Sequence, residues 1–198
     1  MKILFAGGGT LGPVTPLVAV IEEIRLLRPE VECVFVGTSQ GPERRLVEEA
    51  GIRFVSLDAP KLRRYADLRT LFAPFFFLRA LWNARQLLMR EQPRIVVGAG
   101  GYVQVPLGLA AKFLGMKLLV HQQDAVVSLS NRLLAPFADA ITTTFDASLG
   151  DFSKRKTFVI GNPVRRMIEE GNREAGLREM GFAGERPVIL VLGGGTGS

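Results

Sequence analysis

The chain has 198 residues, 47% of them hydrophobic and 22% charged, and carries a formal net charge of +6. That length supports one substantial core and that apolar share excludes a disordered chain; the positive balance favours anionic partners such as phosphates or anionic headgroups. A single cysteine excludes an internal disulfide and a cysteine-built zinc site, and no apolar run approaches the ~20 residues of a spanning helix.

In chain order, Lys2-Ile3-Leu4-Phe5-Ala6 reads as a strand that runs straight into Gly7-Gly8-Gly9-Thr10-Leu11-Gly12 and then a helical pattern over 16–28. The apolar start is too short for a signal peptide, which leads us to expect a cytoplasmic protein. Strand, glycines and helix N-terminus in succession are how α/β proteins bring backbone amides to a phosphate or sugar. The loop has neither the GxGxxG spacing nor a Lys-Ser/Thr pair, so a Walker loop is excluded. A strand over 31–36 follows, with Cys33 as packing, then a helix over 41–50 and a strand over 53–57.

The stretch Lys61 to Arg94 holds eight basic residues against two acids, around Leu71-Phe72-Ala73-Pro74-Phe75-Phe76-Phe77-Leu78. A crossover helix over 68–91 accounts for part of it. Apolar residues on every face, flanked by arginines, suit the boundary of an anionic membrane, with Arg64, Phe72, Phe75, Phe76, Arg79 and Trp82 as the docking residues. Nucleic acid is disfavoured, because the phenylalanines cluster with leucines and are not spaced along a basic groove.

The strand over 94–98 leads into a second glycine turn, Gly98-Ala99-Gly100-Gly101-Tyr102-Val103, and a helix over 103–114. The strand over 117–121 ends in four hydrogen-bonding residues, His121-Gln122-Gln123-Asp124. A helix over 128–137 and strands over 139–143 and 157–160 complete the alternation. Continuously apolar strands separated by helices predict a doubly wound parallel sheet, covered on both faces, with ligands at the strands' carboxyl ends. Beyond it come Ile160-Gly161-Asn162-Pro163-Val164-Arg165, a charged helical stretch within 163–180, and a strand over 188–192 that runs into Gly193-Gly194-Gly195-Thr196-Gly197-Ser198. We therefore divide the chain into an α/β domain (1–162), a connector (163–186) and the opening of a second domain (187–198).

Taken together, Gly8-Gly9-Thr10 with Gly12, Gly100-Gly101-Tyr102-Val103 with Pro106, His121 with Gln123 and Ala125, Asn131, Gly161-Asn162-Pro163-Val164-Arg165, and Gly193-Gly194 with Gly197 resemble the MurG family. These are bacterial glycosyltransferases of peptidoglycan synthesis. The resemblance covers the first half of a family member, which has two Rossmann-like domains in the GT-B arrangement. It implies an inverting, metal-independent hexosyltransferase with no cofactor, moving N-acetylglucosamine from UDP-N-acetylglucosamine to a polyprenyl-diphosphate-linked sugar. It also implies a peripheral location on the cytoplasmic face of the membrane. Diphosphate contacts fall by this resemblance on Thr10, Leu11 and Gly12 and on Gly100, Gly101 and Tyr102. Donor contacts fall on Asp124, Arg165 and Gly195, with Gln123, Asn131 and Asn162 as further substrate-binding residues; Asp124 and His121, the titratable groups at the strand end that faces the crevice, are the catalytic candidates.

Three positions depart from the family pattern. Leu11-Gly12-Pro13 stands where the family has Gly-Gly-His, His121-Gln122-Gln123-Asp124 where it has His-Glu-Gln-Asn, and Gly195 where it has serine. With the loop histidine replaced by Pro13, Asp124 is the expected base or sugar ligand and His121 its orienting neighbour. The alternative is a non-catalytic membrane-docking subunit that recruits a separate donor-binding chain. A nucleotide-sugar epimerase or dehydrogenase is disfavoured by the absence of a Tyr-x-x-x-Lys pair.

Overall fold

Strand formation follows the apolar runs. In a computed structural model describing residues 1–59, 73–182 and 187–191, the strands are β1 (Lys2–Ala6), β2 (Glu32–Gly37), β3 (Arg53–Ser56), β4 (Ile95–Gly98), β5 (Lys117–Gln122), β6 (Ala140–Thr143) and β7 (Thr157–Val159). All pair in parallel, in the order β3-β2-β1-β4-β5-β6-β7. The order reverses between β1 and β4, and there the crevice of a doubly wound sheet opens. Both glycine turns leave the sheet at this point.

The helices are α1 (Thr15–Leu27), α2 (Glu43–Glu49), α3 (Ala73–Glu91), α4 (Gln104–Phe113), α5 (Leu129–Leu134), α6 (Arg166–Glu169) and α7 (Arg173–Glu179). Pro16 in the first turn of α1 suits a position whose amide needs no intrahelical acceptor. On one face of the sheet Phe5, Phe35, Leu17, Val18 and Ile21 form a core under α1. On the other, Leu4, Ala6, Val36 and Val96 meet Ala84, Leu88 and Leu107 of α3 and α4. Leu4, Phe5, Leu17, Phe35, Leu88 and Leu107 are wholly buried, each contributing roughly 1.5–3 kcal/mol of transfer free energy. Along α3, Ala80, Ala84, Leu87, Leu88 and Glu91 repeat at helical spacing and mark its inward stripe.

Two elements depart from expectation. The stretch 163–180 is not one helix but α6 and α7, broken at Gly171-Asn172, where the Asn172 side chain accepts from the Ala175 amide at 2.9 Å and starts α7 afresh. Residues 187–191 form no strand and stand exposed, Ile189 at 88% and Val191 at 87%. A strand needs neighbours, and none lies beside this segment among the described residues. Residues 60–72, which include the start of the expected helix over 68–91, and residues 192–198 lie outside the described residues.

At the amino-terminal edge of the sheet, Glu91 at the end of α3 is 5% exposed. It accepts a forked pair of hydrogen bonds from Arg53 at 2.9 and 2.8 Å and one from Lys2 at 3.0 Å. The Arg53 hydrogen bonds, working against burial, bring its carboxyl from 4.5 down to about 2. A depressed carboxyl stabilises the fold above its unfolded value and loses that contribution as pH falls from about 4.5 to about 2. Glu91→Gln should therefore cost about 2 kcal/mol at pH 7, after discount for the half-exposed Arg53. Urea titrations should find the deficit shrinking between pH 4.5 and pH 2.

Candidate functional site

The two glycine turns are built against each other. Gly101 (φ +84°) sits so close to the backbone of Gly8 that a Cβ would overlap the Gly8 carbonyl oxygen. The Tyr102 ring lies on Gly9 (φ +87°), where a Cβ would come within 2.9 Å of its Cε1. Pro13 lies 3.3 Å from where Gly100 would carry a Cβ, so the ring that replaces the loop histidine packs on the second turn. Several of these glycines are thus required by loop-on-loop packing, which the sequence does not distinguish from ligand approach.

What remains for a ligand is specific. Thr10, Leu11 and Gly12 are exposed, and among the described residues their amides meet no acceptor. The same holds for the half-buried Gly101 and Tyr102. The Gly100 amide, expected to serve a diphosphate, is instead occupied by the Gln104 Oε1 at 3.1 Å. Burial pushes the Tyr102 phenol above its ordinary value, so the hydroxyl stays protonated and available as a donor. Beside Gly9 and Tyr102 opens a cavity of ≈ 280 Å³ lined by Thr38, Ser39, Gln40 and Asp58.

Sequence reasoning missed the buried amides that hold the β5 end. Gln104 Nε2 donates to Asn131 Oδ1 at 2.6 Å, and Asn131 Nδ2 donates to Gln122 Oε1 at 2.7 Å and to the His121 carbonyl at 3.0 Å. Gln122 Nε2 in turn donates to the carbonyls of Asp124 and Val126, at 2.8 and 3.0 Å. Asn131, expected to touch substrate, is 1% exposed, and its side chain is engaged inside this relay. Amide side chains following apolar runs were its signal.

His121 is corrected as well. Its ring is buried, with Nδ1 3.0 Å from the Thr142 hydroxyl and Nε2 3.4 Å from Asn162 Oδ1, and it does not orient Asp124. Burial pushes its pKa below the ordinary value, against a smaller opposing effect of the Asn162 hydrogen bond, which leaves a neutral imidazole at pH 7. Asp124 stands exposed at the crevice, and Gln123 reaches back to Gly12, its Nε2 3.2 Å from a Cβ built there. Arg165 does not face the crevice freely, because Glu22 of α1 holds its Nε and Nη2 at 2.9 and 2.7 Å. Gly195 lies outside the described residues, as do Arg64 and Phe72.

On α3, Phe75 (65% exposed), Phe76 and Trp82 (59%) stand out into solvent with Leu78 and Arg79. The Arg85 guanidinium lies 5.6 Å from the centre of the Trp82 ring. Among the described residues no helix is long and apolar enough to cross a membrane, and no group of three or more His, Cys, Asp or Glu could hold a metal ion.

The model of the glycosyltransferase family 28 N-terminal domain matches residues 3–143. Similar over 197 residues is the Clostridium botulinum (strain Hall) protein named UDP-N-acetylglucosamine--N-acetylmuramyl-(pentapeptide) pyrophosphoryl-undecaprenol N-acetylglucosamine transferase, at 36% identity, covering 100% of this chain and 55% of the relative. A Shouchella clausii protein of the same name is 38% identical with the same coverage. The chain thus spans about half the length of the curated relatives it matches. Among solved structures, Acinetobacter baumannii MurG superposes with a TM-score of 0.69 and 27% identity over 85% of this chain and 47% of that one. A UDP-N-acetylglucosamine 2-epimerase from Listeria monocytogenes, described as putative in its own name, covers 81% of this chain and 44% of its own. At TM-score 0.62 and 18% identity it shares the fold alone.

The relay makes a prediction that separates structure from binding. Asn131→Leu should destabilise the chain by about 2–4 kcal/mol, since it takes their acceptor or donor from Gln104 Nε2 and the His121 carbonyl and leaves Gln122 Oε1 only the Ser128 amide at 3.4 Å. A substrate-contact role would leave the denaturant midpoint where it is.

Proposed function

This chain belongs to glycosyltransferase family 28, and we propose that it is the acceptor-binding half of an inverting N-acetylglucosaminyltransferase. The acceptor would be a polyprenyl-diphosphate-linked muramoylpentapeptide and the donor UDP-N-acetylglucosamine, the lipid I to lipid II step of peptidoglycan synthesis. The names of the curated relatives support the transferase over a separate docking subunit. The observation that carries the reading is that the Thr10, Leu11, Gly12, Gly101 and Tyr102 amides, in the two turns that leave the sheet where its order reverses, meet no acceptor among the described residues. Fixed amides of this kind neutralise a diphosphate without reorganising.

In the transfer, an acceptor hydroxyl oxygen attacks the anomeric carbon from the face opposite UDP. The carbon–oxygen bond to UDP breaks with inversion, UDP departs with the bonding pair, and the hydroxyl proton passes to a base. Asp124 is the base we assign: it is exposed on the crevice side of the β5 end, whereas both nitrogens of His121 are engaged elsewhere. Gln123, beside Gly12, would bind the acceptor near its diphosphate, and Asn162, the last residue before the connector, would reach it from beside His121. By resemblance no metal takes part, and the second half of the crevice comes from a C-terminal domain or a separate donor-binding chain.

The exposed face of α3 supports a peripheral location on an anionic membrane; the cytoplasmic side is what the resemblance implies. A basic side chain near such a surface contributes about 1 kcal/mol, so a few engaged together with the aromatics suffice for measurable binding.

Two experiments test the reading. Grafted in place of the corresponding half of the Shouchella clausii relative, the chain should support N-acetylglucosamine transfer to a short-chain polyprenyl-diphosphate muramoylpentapeptide. In that chimaera Asp124→Asn should slow turnover by about 10²-fold or more, and an unchanged rate would assign Asp124 to sugar binding only. In co-sedimentation, the chain should bind anionic vesicles in a salt-sensitive way and lose binding with Phe75→Ser/Phe76→Ser. Equal binding to neutral vesicles contradicts the docking surface.

A further inference from the structure

Glu43, the first residue of α2, is a wholly buried acid for which the reaction above has no use. Its Oε1 accepts the Thr38 amide at 2.7 Å and the Thr38 hydroxyl, and its Oε2 accepts the Gly9 amide at 3.4 Å. Three glycines from separate segments make room for it. A Cβ at Gly8 or Gly41 would overlap its carboxyl oxygens, and one at Gly37 would come within 2.9 Å of its Cγ and 2.7 Å of the Phe54 ring. The first glycine turn, the end of β2 and the start of α2 are thus all shaped around one side chain.

We propose that Glu43 is the positioning residue of the acceptor loop, holding Gly9 inward so that the Thr10, Leu11 and Gly12 amides face the acceptor's diphosphate. This rests on the diphosphate reading of that loop. The physical argument is one of donors and acceptors. The Gly9 amide has Glu43 as its acceptor; without it, the amide must turn toward the crevice to find water. Gly9 at φ +87° has the freedom to make that turn, and the three amides that follow would turn with it. A negative group placed behind an anion-binding loop would otherwise disfavour the ligand, so its retention there needs a positional reason. The carboxyl fixes which amides are spent inside the protein and which are left for the ligand.

Glu43→Gln is the selective variant. The amide oxygen can still accept both Thr38 donors, but its NH₂ then confronts the Gly9 N–H, donor against donor. On the ¹⁵N-labelled chain, Gly9 amide exchange should quicken at least about tenfold and the Thr10, Leu11 and Gly12 resonances should move. The dissociation constant for farnesyl diphosphate, the probe, should rise at least about tenfold. Glu49→Gln, an exposed site on the same helix, should change none of these. Gly8→Ala crowds the carboxyl without removing it and should reproduce the effects, which covers a Glu43→Gln chain that fails to fold. Unaltered Gly9 exchange and loop resonances in both variants overturn the inference. If the wild-type chain binds farnesyl diphosphate away from these amides, or not at all, the diphosphate reading fails first and the positioning role falls with it. Loss confined to the variants upholds both.

Discussion

The contact on which the rest of the site depends is backbone against backbone, Gly101 on Gly8. Two loops leaving neighbouring strands where the order reverses lead to opposite faces of the sheet, which opens a crevice between them. Here neither position has a side chain, and the loops after β1 and β4 close onto each other where the strand order reverses. Tyr102 then covers Gly9 and Pro13 covers Gly100, so two turns distant in sequence become one rigid unit. Rigidity matters because amides aimed at a diphosphate are worth most when they need not move on binding. Any side chain at Gly101 would part the loops and scatter the amides.

How much of this was legible in the sequence depends on what each residue's type reveals. The sheet was readable because fully buried parallel strands are continuously apolar, and Leu4, Val34, Val96, Leu118 and Ile141 sit in such runs. Strand ends moved by a residue or so, where pairing and not composition decides them. The glycine turns were readable as places but not as roles. Glycine reports that space is needed without saying whether a ligand, a tyrosine ring, a neighbouring backbone or a buried acid fills it. Asn131, Gln104 and Glu43 were opaque for the opposite reason. A polar residue is ordinarily exposed, and only the partners supplied by β5, α4 and the first loop let these three be buried. Gly171-Asn172 within the charged stretch carried a legible break and start signal that outweighed helical periodicity.

Charge is distributed with a similar division of labour. At the amino-terminal edge of the sheet basic residues are paired with acids: Lys2 and Arg53 share Glu91 and Glu32, while Lys112 and Lys117 share Asp139. The lysine hydrogen bonds and the Leu118 amide outweigh burial and hold the Asp139 carboxyl well below its usual range. Arg165 and Arg166 are likewise paired, with Glu22 and Glu23, which pins the connector to α1. Among the described residues Arg79 and Arg85 of α3, on the helix that exposes Phe75, Phe76 and Trp82, meet no carboxylate, whereas Arg90 lies beside Glu91. A basic face with exposed aromatics is an arrangement that an anionic interface stabilises, since it takes up both the charge and the rings.

The departures at the β5 end are physically coupled. Gln122 donates two hydrogen bonds from Nε2, to the carbonyls of Asp124 and Val126, and accepts on Oε1 from Asn131 and from the Ser128 amide. A carboxylate has no donor, so a glutamate in the same place would set oxygen against two carbonyl oxygens and drive this loop out of its present course. The amide at 122 is what folds the loop back over itself, and that fold carries Asp124 out to the crevice. The acid at the strand end thus stands at position 124, while the buried position 122 has the donors it needs. Pro13 belongs to the same economy of space. Its ring packs on Gly100, which tightens the loop pair, while the acid at 124 stays exposed.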